Sequence, residues 1–435
     1  MAHSAAKIGA AAVIAAALTL AGCSSGESKE SSTGAESGGA EGSVPSTPIT
    51  FQTWSLKNDT FTPYFESVIA DCEAAHPGMK VNWIDQPGEG YEDKVLQQAE
   101  SGELPDVVNL PPEYAYTLSK AGMLQNLEDV SKVLDEYIPG GVGAYEFQGV
   151  DGKFGFPWYL GTEVNYWNTE MLEKGGVKDI PKTIWETLDV AAELAKDGII
   201  TIPDVPSPKS LVIYLSEGDE HFELYKDGKF DFATPEAIKL VERWAEVYKD
   251  GGVSPEAIQG AGAGDVTDAY SQGNVAWTAA GPNYIEKVLA VDAPTLVDIT
   301  QPEPSMGHPP LFVQGISVAA QSKNPEAALA FAECLTNNEH QVEFVKLAVG
   351  FFPGTKAANE DPSTFVASSD IPSQNEATKD AAKGMETAQV TNPVQFTDTM
   401  ENYAKQQIAL AVKGEISAKE ALEKSVAYAN DNLDN

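Results

Sequence analysis

Four histidines beyond residue 50, His76, His221, His308 and His340, are the side chains best suited to proton transfer or metal ligation, and none stands at ligand spacing from another. With no H-E-x-x-H and no close cysteine pair, the pattern predicts no metal site and no metal cofactor. No G-x-S-x-G nucleophile turn and no phosphate-binding P-loop occurs. Gly260-Ala261-Gly262-Ala263-Gly264 lacks the preceding strand and later glycine of a dinucleotide loop and reads as a connector. Carboxylates are abundant, and Glu217, Asp219 and Glu220 resemble the paired acids of a glycosidase, although Gly218 between them suits a solvated turn better. Covalent chemistry therefore finds little support. Aromatic and amide side chains near the ends of apolar runs are better represented: Trp54 ends the first strand-like run, Trp158, Tyr159 and Tyr166 surround Gly161-Thr162, Tyr284 follows Gly281-Pro282-Asn283, and Phe351-Phe352 precede Pro353-Gly354. Flat aromatic faces and amide groups together suit a neutral ring bearing hydroxyls, such as a sugar.

Several elements must position those groups. Ile49 to Trp54 reads as a strand, Phe61 to Ala75 as an amphipathic helix, Met79 to Ile84 as a strand, Tyr91 to Ser101 as a helix and Asp106 to Leu110 as a third strand. The order βαβαβ predicts a parallel sheet with helices on its faces, and ligands of such sheets sit beyond the carboxyl ends of the strands. That points to the loops starting near Trp54, Ile84 and Asn109. Thr234-Pro235-Glu236, Ser254-Pro255-Glu256 and Asn324-Pro325-Glu326 each offer an N-cap, a proline at the first helical position and an acid facing the helix dipole. Thr183 to Glu186 and Ser417 to Glu420 have capping-box spacing. Trp185 and Trp244 fall on apolar helix faces and Trp277 within a strand, so all three read as core. Lys57 reads equally as a solvated lysine and as a hydroxyl binder, and His308 as a structural polar residue rather than a ligand contact.

At 435 residues the chain exceeds what one core usually holds, so two domains are expected. Its 28 basic and 65 acidic residues give a formal charge of -37, which excludes the basic footprint of a nucleic-acid binder. Arg243 is the single arginine, leaving no set of guanidinium forks to grip phosphate.

The amino terminus reads as an address. Ile8 to Ala21 is an apolar run behind Lys7, too short to span a bilayer but suited to a signal peptide. It closes on Leu20-Ala21-Gly22-Cys23, which resembles a bacterial lipobox and implies a signal peptide at 1–22 with lipidation of Cys23. Residues 23–47 are rich in Ser, Gly and Glu and read as a flexible tether with a reach of roughly 25–30 Å. Of the remaining cysteines, Cys72 shares an apolar helix face with Phe65, Val68 and Ile69. It reads as a small buried hydrophobe in preference to a partner of Cys334 in a disulfide.

Five segments in order carry a resemblance to a family. Leu104-Pro105-Asp106-Val107-Val108 with Ala121-Gly122-Met123-Leu124 comes first, and Phe154-Gly155-Phe156-Pro157 through Tyr166-Trp167-Asn168-Thr169-Glu170-Met171-Leu172 second. Pro181-Lys182-Thr183-Ile184-Trp185-Glu186 with Leu188, then Gly273-Asn274-Val275-Ala276-Trp277 through Gly281-Pro282, then Lys413-Gly414 with Ala421-Leu422 complete the set. Behind a lipobox, they resemble the family 1 extracellular solute-binding proteins, the sugar-capturing components of ABC importers related to maltodextrin-binding protein.

The resemblance implies an α/β fold of two lobes joined by hinge strands, with the ligand in the cleft between them. Lobe one would span 48–160 plus 311–356 and lobe two 161–310 plus 357–435. Carried over by position, the ligand-binding residues would be Trp54, Lys57, Asn109, Leu110, Glu113, Gly161, Thr162, Asn283, Tyr284, Gln314, Phe352 and Glu401. Asn283 stands where the family often has a tryptophan, so Tyr284, Trp158 or Phe396 would supply the stacking surface. The implied partners are a carbohydrate, of which an oligosaccharide is preferred, the transmembrane subunits of an ABC permease, and a membrane held through acylated Cys23. No cofactor, no nucleic acid, no catalysis and a monomeric state are expected. The location would be the outer face of the cytoplasmic membrane, or the periplasm of a Gram-negative host. The competing readings are a secreted hydrolase using an Asp/Glu pair and a binder of a cation, polyol, polyamine or peptide.

Overall fold

The computed structural model describes residues 48–216, 221–259 and 269–433. The leader, lipobox and tether, the acids Glu217, Asp219 and Glu220, and the Gly260–Gly264 segment lie outside them.

The expected βαβαβ unit is present. It consists of β1 (Ile49–Trp54), α1 (Thr62–Ala75), β2 (Val81–Gln86), α2 (Tyr91–Glu100) and β3 (Val107–Leu110), followed by α3 (Pro112–Lys120). β1 pairs in parallel with both β2 and β3, so both crossovers end beside it. The chain then runs through β4 (Phe156–Gly161), crosses at Thr162-Glu163, and continues as β5 (Val164–Asn168). Further on come α4 (Ile184–Ala195), α5 (Pro208–Leu215), α6 (Pro235–Asp250), β6 (Trp277–Ala280) and β7 (Thr300–Glu303). β8 (Phe312–Val318) returns, with α7 (Pro325–Leu335), α8 (Asn338–Leu347) and β9 (Phe352–Pro353) behind it. The helices α9 (Pro372–Gly384), α10 (Asp398–Lys413) and α11 (Ala418–Asp431) close the chain.

Two sheets result. One has the order β9-β4-β8-β3-β1-β2, in which β8 runs antiparallel to both β3 and β4; the other is β6-β5-β7, antiparallel throughout. β4 and β5 are consecutive in sequence yet lie in different sheets, so Thr162-Glu163 is a crossing between them. Two cores flank the sheets, and β5 contributes to both, through Val164 and Tyr166 to the first and Trp167 to the second. Phe51, Phe65, Trp158, Phe331 and Phe344 fill the first, and Trp167, Trp244, Phe230, Phe232 and Ile408 the second. α10 and α11 bury one face each, through Met400, Ala404 and Ile408 and through Ala421, Leu422 and Ala429.

The capping expectations hold at Thr234, Thr183 and Ser417, whose hydroxyls accept from backbone N–H groups three residues on. Asn324 departs from them: its side chain does not cap α7, and Ser322 Oγ instead accepts from the Asn324 amide. Trp244 and Trp277 are core as expected, whereas Trp185 is only half-buried, with Lys239 Nζ 5.1 Å above its ring.

Cys72 corrects the sequence reading. It is fully buried, but its sulfur is bonded to Cys334, with a Cα–Cα distance of 5.9 Å. The apolar helix face that suggested a lone hydrophobe packs against α7, and this packing is what brings the second sulfur within reach.

Candidate functional site between the lobes

The carboxyl ends of β1, β2, β3 and β4 and the start of β8 converge at one edge of the larger sheet. There Ser55 takes a left-handed conformation with φ 57°, uncommon for a residue with a Cβ. Asp85 holds the turn: its carboxylate accepts from Thr53 Oγ1 at 2.6 Å, from the Leu56 amide at 3.1 Å and from the Lys57 amide at 3.0 Å. Local strain at a strand end persists only when neighbours fix it, and such sites are frequently functional. Trp54, just before the turn, is half-buried against Tyr91, with ring centroids 5.9 Å apart. Its indole N–H is buried without a hydrogen-bond acceptor.

Next along the edge are two amides. Asn109 is fully buried; its Nδ2 donates to Gln314 Oε1 at 3.3 Å and to the Gly315 carbonyl at 3.0 Å, while its Oδ1 has no partner. The register of β8 against β4 shifts between Gln314 and Gly315, a bulge that re-aims Gln314. Gly315 is obligatory there, because a Cβ would lie 2.4 Å from the Tyr145 hydroxyl, which donates to the Leu110 carbonyl at 2.6 Å. Beside them Thr162, in the crossing, has a buried Oγ1 without a partner. A buried polar atom left unpaired costs about 1–3 kcal/mol, and three of those among the described residues, Trp54 Nε1, Asn109 Oδ1 and Thr162 Oγ1, lie at these strand ends.

A second set of polar groups lies around α10. Glu401 of α10 lies close to Ser207, Lys209 and Lys405; burial raises its carboxyl above the usual range while the two lysines pull it down. One of its oxygens, Oε2, is buried and unpaired. Asp204 pairs with Lys405 at 3.2 Å, and Lys209 with Asp398 at 3.8 Å. Tyr214, stacked on Trp244, lines a cavity of about 150 Å³ together with Asp204, Ser207 and Lys405.

Acidic groups of separate helices lie close together here. Glu92 of α2 has its carboxyl raised by burial and by the charges of Asp93, Glu113 and Asp398. Tyr114 of α3 is likewise raised by burial and by Glu92, Glu113, Asp398 and Asp93. Asp398 begins α10, so acidic groups of α2, α3 and α10 lie near enough to raise one another.

The expected site residues therefore divide. Trp54, Asn109, Thr162 and Glu401 each carry a buried polar atom without a partner, Gln314 is half-buried beside Asn109, Gly161 adjoins Thr162 and Glu113 is exposed. Lys57 is exposed, but its Nζ lies 5.0 Å above the Trp83 ring, a cation–π contact within its own lobe. Leu110 is fully buried. Trp158 sits inside the first core, 4.4 Å from the Phe344 ring, and Phe396 inside the second, between Phe230 and Phe232. Phe352 packs against Phe365, and Tyr284 against Tyr166 and Tyr270. These five serve as packing rather than as open stacking surfaces. Asn283 donates through Nδ2 to the Val349 carbonyl at 3.0 Å.

Geometry also adds Phe312 and Glu163, which spacing did not single out, and sets the already named Phe351 near the first of them. Phe312 and Phe351 are exposed aromatics beside Gly161. Glu163, next to Thr162, carries a carboxyl lifted to about 6 by burial. The alternation of Phe312 with Gln314 along one strand was the available signal for the first of these.

Among the described residues one group of potential metal ligands is compact, Cys72 with Cys334 and His340. Its sulfurs are joined to each other, and His340 Nδ1 lies 2.7 Å from the Cys334 carbonyl oxygen, so neither thiolate is available to a metal. No helix among the described residues is long and apolar enough to cross a membrane.

Residues 67–372 match the family profile described as bacterial extracellular solute-binding protein. The chain is 24 % identical over 389 residues to the galactooligosaccharide-binding protein of Bacillus subtilis, covering 81 % of this chain and 87 % of that protein. Its fold is similar to the sugar-binding protein MalE of Xanthomonas citri, with a TM-score of 0.70 at 19 % identity over 89 % of this chain and 97 % of that one. It is also similar to the GacH receptor of Streptomyces glaucescens, solved unliganded and with acarbose, with a TM-score of 0.67 at 20 % identity over 90 % and 100 % of the two chains. Both neighbours share the two-lobe architecture.

Proposed function

We propose that this chain, which belongs to the bacterial extracellular solute-binding proteins, is a non-enzymatic receptor that captures a carbohydrate between its lobes and delivers it to an ABC import permease. The observation that carries the reading is the set of unpaired polar groups at the strand ends of the larger sheet, Trp54 Nε1, Asn109 Oδ1 and Thr162 Oγ1, together with the unpaired Glu401 Oε2 of α10. Indole N–H, amide, hydroxyl and carboxylate together satisfy the mixed donors and acceptors of a polyhydroxylated ring. The relatives named for galactooligosaccharide and for sugar binding support the ligand class. An oligosaccharide is preferred over a single sugar because the polar edge and the Tyr214 cavity are separate places that several rings would fill.

In this reading lobe one spans 48–160 plus 311–356 and lobe two 161–310 plus 357–435. Closure about the crossings is stabilised only by a ligand touching both lobes at once. Cys23, once acylated, anchors a monomeric receptor to the outer face of the cytoplasmic membrane, or in the periplasm of a Gram-negative host, and residues 24–47 act as its tether. The acidic rim of Glu92, Asp93, Glu113 and Asp398 favours a second reading, a polyamine or other cationic ligand.

A thermal-shift screen of the purified protein against monosaccharides, galacto- and malto-oligosaccharides and polyamines tests both, since a ligand of the folded state raises Tm by mass action. A shift with one saccharide series and no release of shortened products supports capture. Turnover of the saccharide supports a hydrolase, and a shift confined to polyamines moves the assignment to the cationic ligand.

A further inference from the structure

Among the described residues large apolar side chains are rarely exposed, and two that are flank Gly161. Phe312 is 51 % exposed and Phe351 41 %. They come from separate segments and meet over Gly161, where a Cβ would lie 3.5 Å from Phe312 Cβ and Cδ2 and from Phe351 Cε1. Phe351 also abuts the Tyr159 ring edge-on, with centroids 5.0 Å apart.

The register explains why these rings face outward. Phe312 pairs with Gly161 and Gln314 with Tyr159. Alternate residues of a strand share a face, so Phe312, Gln314, Tyr159 and Gly161 project together. Their neighbours Leu311, Val313 and Leu160 point the other way and are buried. Core packing is thus complete on the opposite face without the two phenyl rings. On the far side of Phe351 a cavity of about 260 Å³ extends past Val349 and Asn283 to Gln374, beneath the Asn283–Val349 hydrogen bond.

An exposed aromatic pair at a crossing of the chain, beside a cavity and a re-aimed amide, is a built surface rather than a scattered apolar residue. Gln314 Oε1 already accepts from Asn109, which leaves its NH₂ group to donate elsewhere. We propose that Phe312 and Phe351 form a shelf at the hinge for the apolar face of one pyranose ring of the captured carbohydrate, with the Gln314 amide donating to a hydroxyl of that ring. The assignment rests on the carbohydrate reading above and names where one ring of the ligand sits.

The test titrates wild type, Phe312→Ala, Phe351→Ala and Phe312→Trp calorimetrically with maltotriose and β-1,4-galactotriose, and records each Tm without sugar. Each alanine variant is expected to weaken the trisaccharide that wild type binds by about tenfold, the scale of one aromatic contact, while its Tm stays at the wild-type value. Phe312→Trp is expected to keep the affinity and to change its fluorescence when that sugar is added. Wild-type affinity in both alanine variants overturns the shelf and leaves the carbohydrate reading standing. A Tm that falls together with affinity overturns it as well, because the rings would then be packing groups. A wild-type protein that binds neither trisaccharide overturns the carbohydrate reading for this series and the shelf with it.

Discussion

Asn283 Nδ2 donates to the Val349 carbonyl oxygen at 3.0 Å, joining the loop after β6 of the smaller sheet to the chain just beyond α8, which packs on the larger one. The loop is fixed from behind by Gln374, whose Nε2 donates to the Pro282 carbonyl at 2.6 Å and whose Oε1 accepts from the Glu286 amide at 3.0 Å. Gly350 makes room for the contact: its φ is 97°, and a Cβ there would come within 2.7 Å of the Asn283 amide. A rigid loop, a single side chain and a yielding backbone position together make a clasp between the two segments.

Breaking the clasp should favour the open form. Asn283→Ala removes a hydrogen bond whose net worth is about 0.5–1.5 kcal/mol. The expected outcome is a larger radius of gyration in small-angle scattering without sugar, and a weakening of sugar binding of the same energetic size. Identical scattering curves for variant and wild type would show that the contact does not bear on the opening equilibrium.

The Cys72–Cys334 bond ties α1 to α7 across a separation of 262 residues within the first lobe. Cross-links closing long loops restrict the unfolded chain most, and losing a native disulfide typically costs 2–5 kcal/mol. Cys72→Ser with Cys334→Ser is expected to lower stability by about that amount in denaturant melts. Saccharide titrations of the folded variant should match wild type, since the bond lies in the core away from the polar edge. Reductant should lower the wild-type Tm and leave the double variant unmoved.

Trp54 and Tyr284 should separate sharply when truncated. Trp54 is half-buried with its N–H unpaired at the strand edge, so Trp54→Ala is expected to reduce saccharide affinity by about 1–3 kcal/mol with a smaller effect on folding. Tyr284 is 3 % exposed between Tyr166 and Tyr270, so Tyr284→Ala should cost about 3–5 kcal/mol of stability. Equal losses of affinity at unchanged Tm in both variants would reject this division.

The sequence made the first lobe readable because its periodicities are local: β1 through β3 fell where apolar runs and helix faces placed them, and Thr183, Thr234 and Ser417 announced their helices. What depends on distant partners was not readable. Cys72 and Cys334 are brought together only by the packing of α1 on α7. Trp158 and Phe396 sit at chain positions like those of open cleft aromatics, yet Phe344 and Phe230, contributed by other segments, cover them. Phe312 reads from its strand as one apolar residue among others, and only the β4–β8 register and the approach of Phe351 give it a face.

Glu163 gives the crossing a pH signature. Burial lifts its carboxyl to about 6, whereas in the unfolded chain it titrates near 4.3. Below about pH 4 both states hold the proton and the group contributes nothing to the difference between them. As pH rises through the window up to about 6, the unfolded chain releases its proton first, so stability falls, and above that window a constant penalty of no more than about 2 kcal/mol remains. Glu163→Gln removes the titration while keeping the shape. Denaturant melts at pH 4 and pH 7.5 should therefore show the variant gaining on wild type as pH increases, most of the gain falling between pH 4.5 and 6. Because the chain's other carboxylates titrate alike in both proteins, their difference isolates this one group. Parallel profiles would mean that Glu163 is solvated in the folded state and that the crossing does not bury a charge.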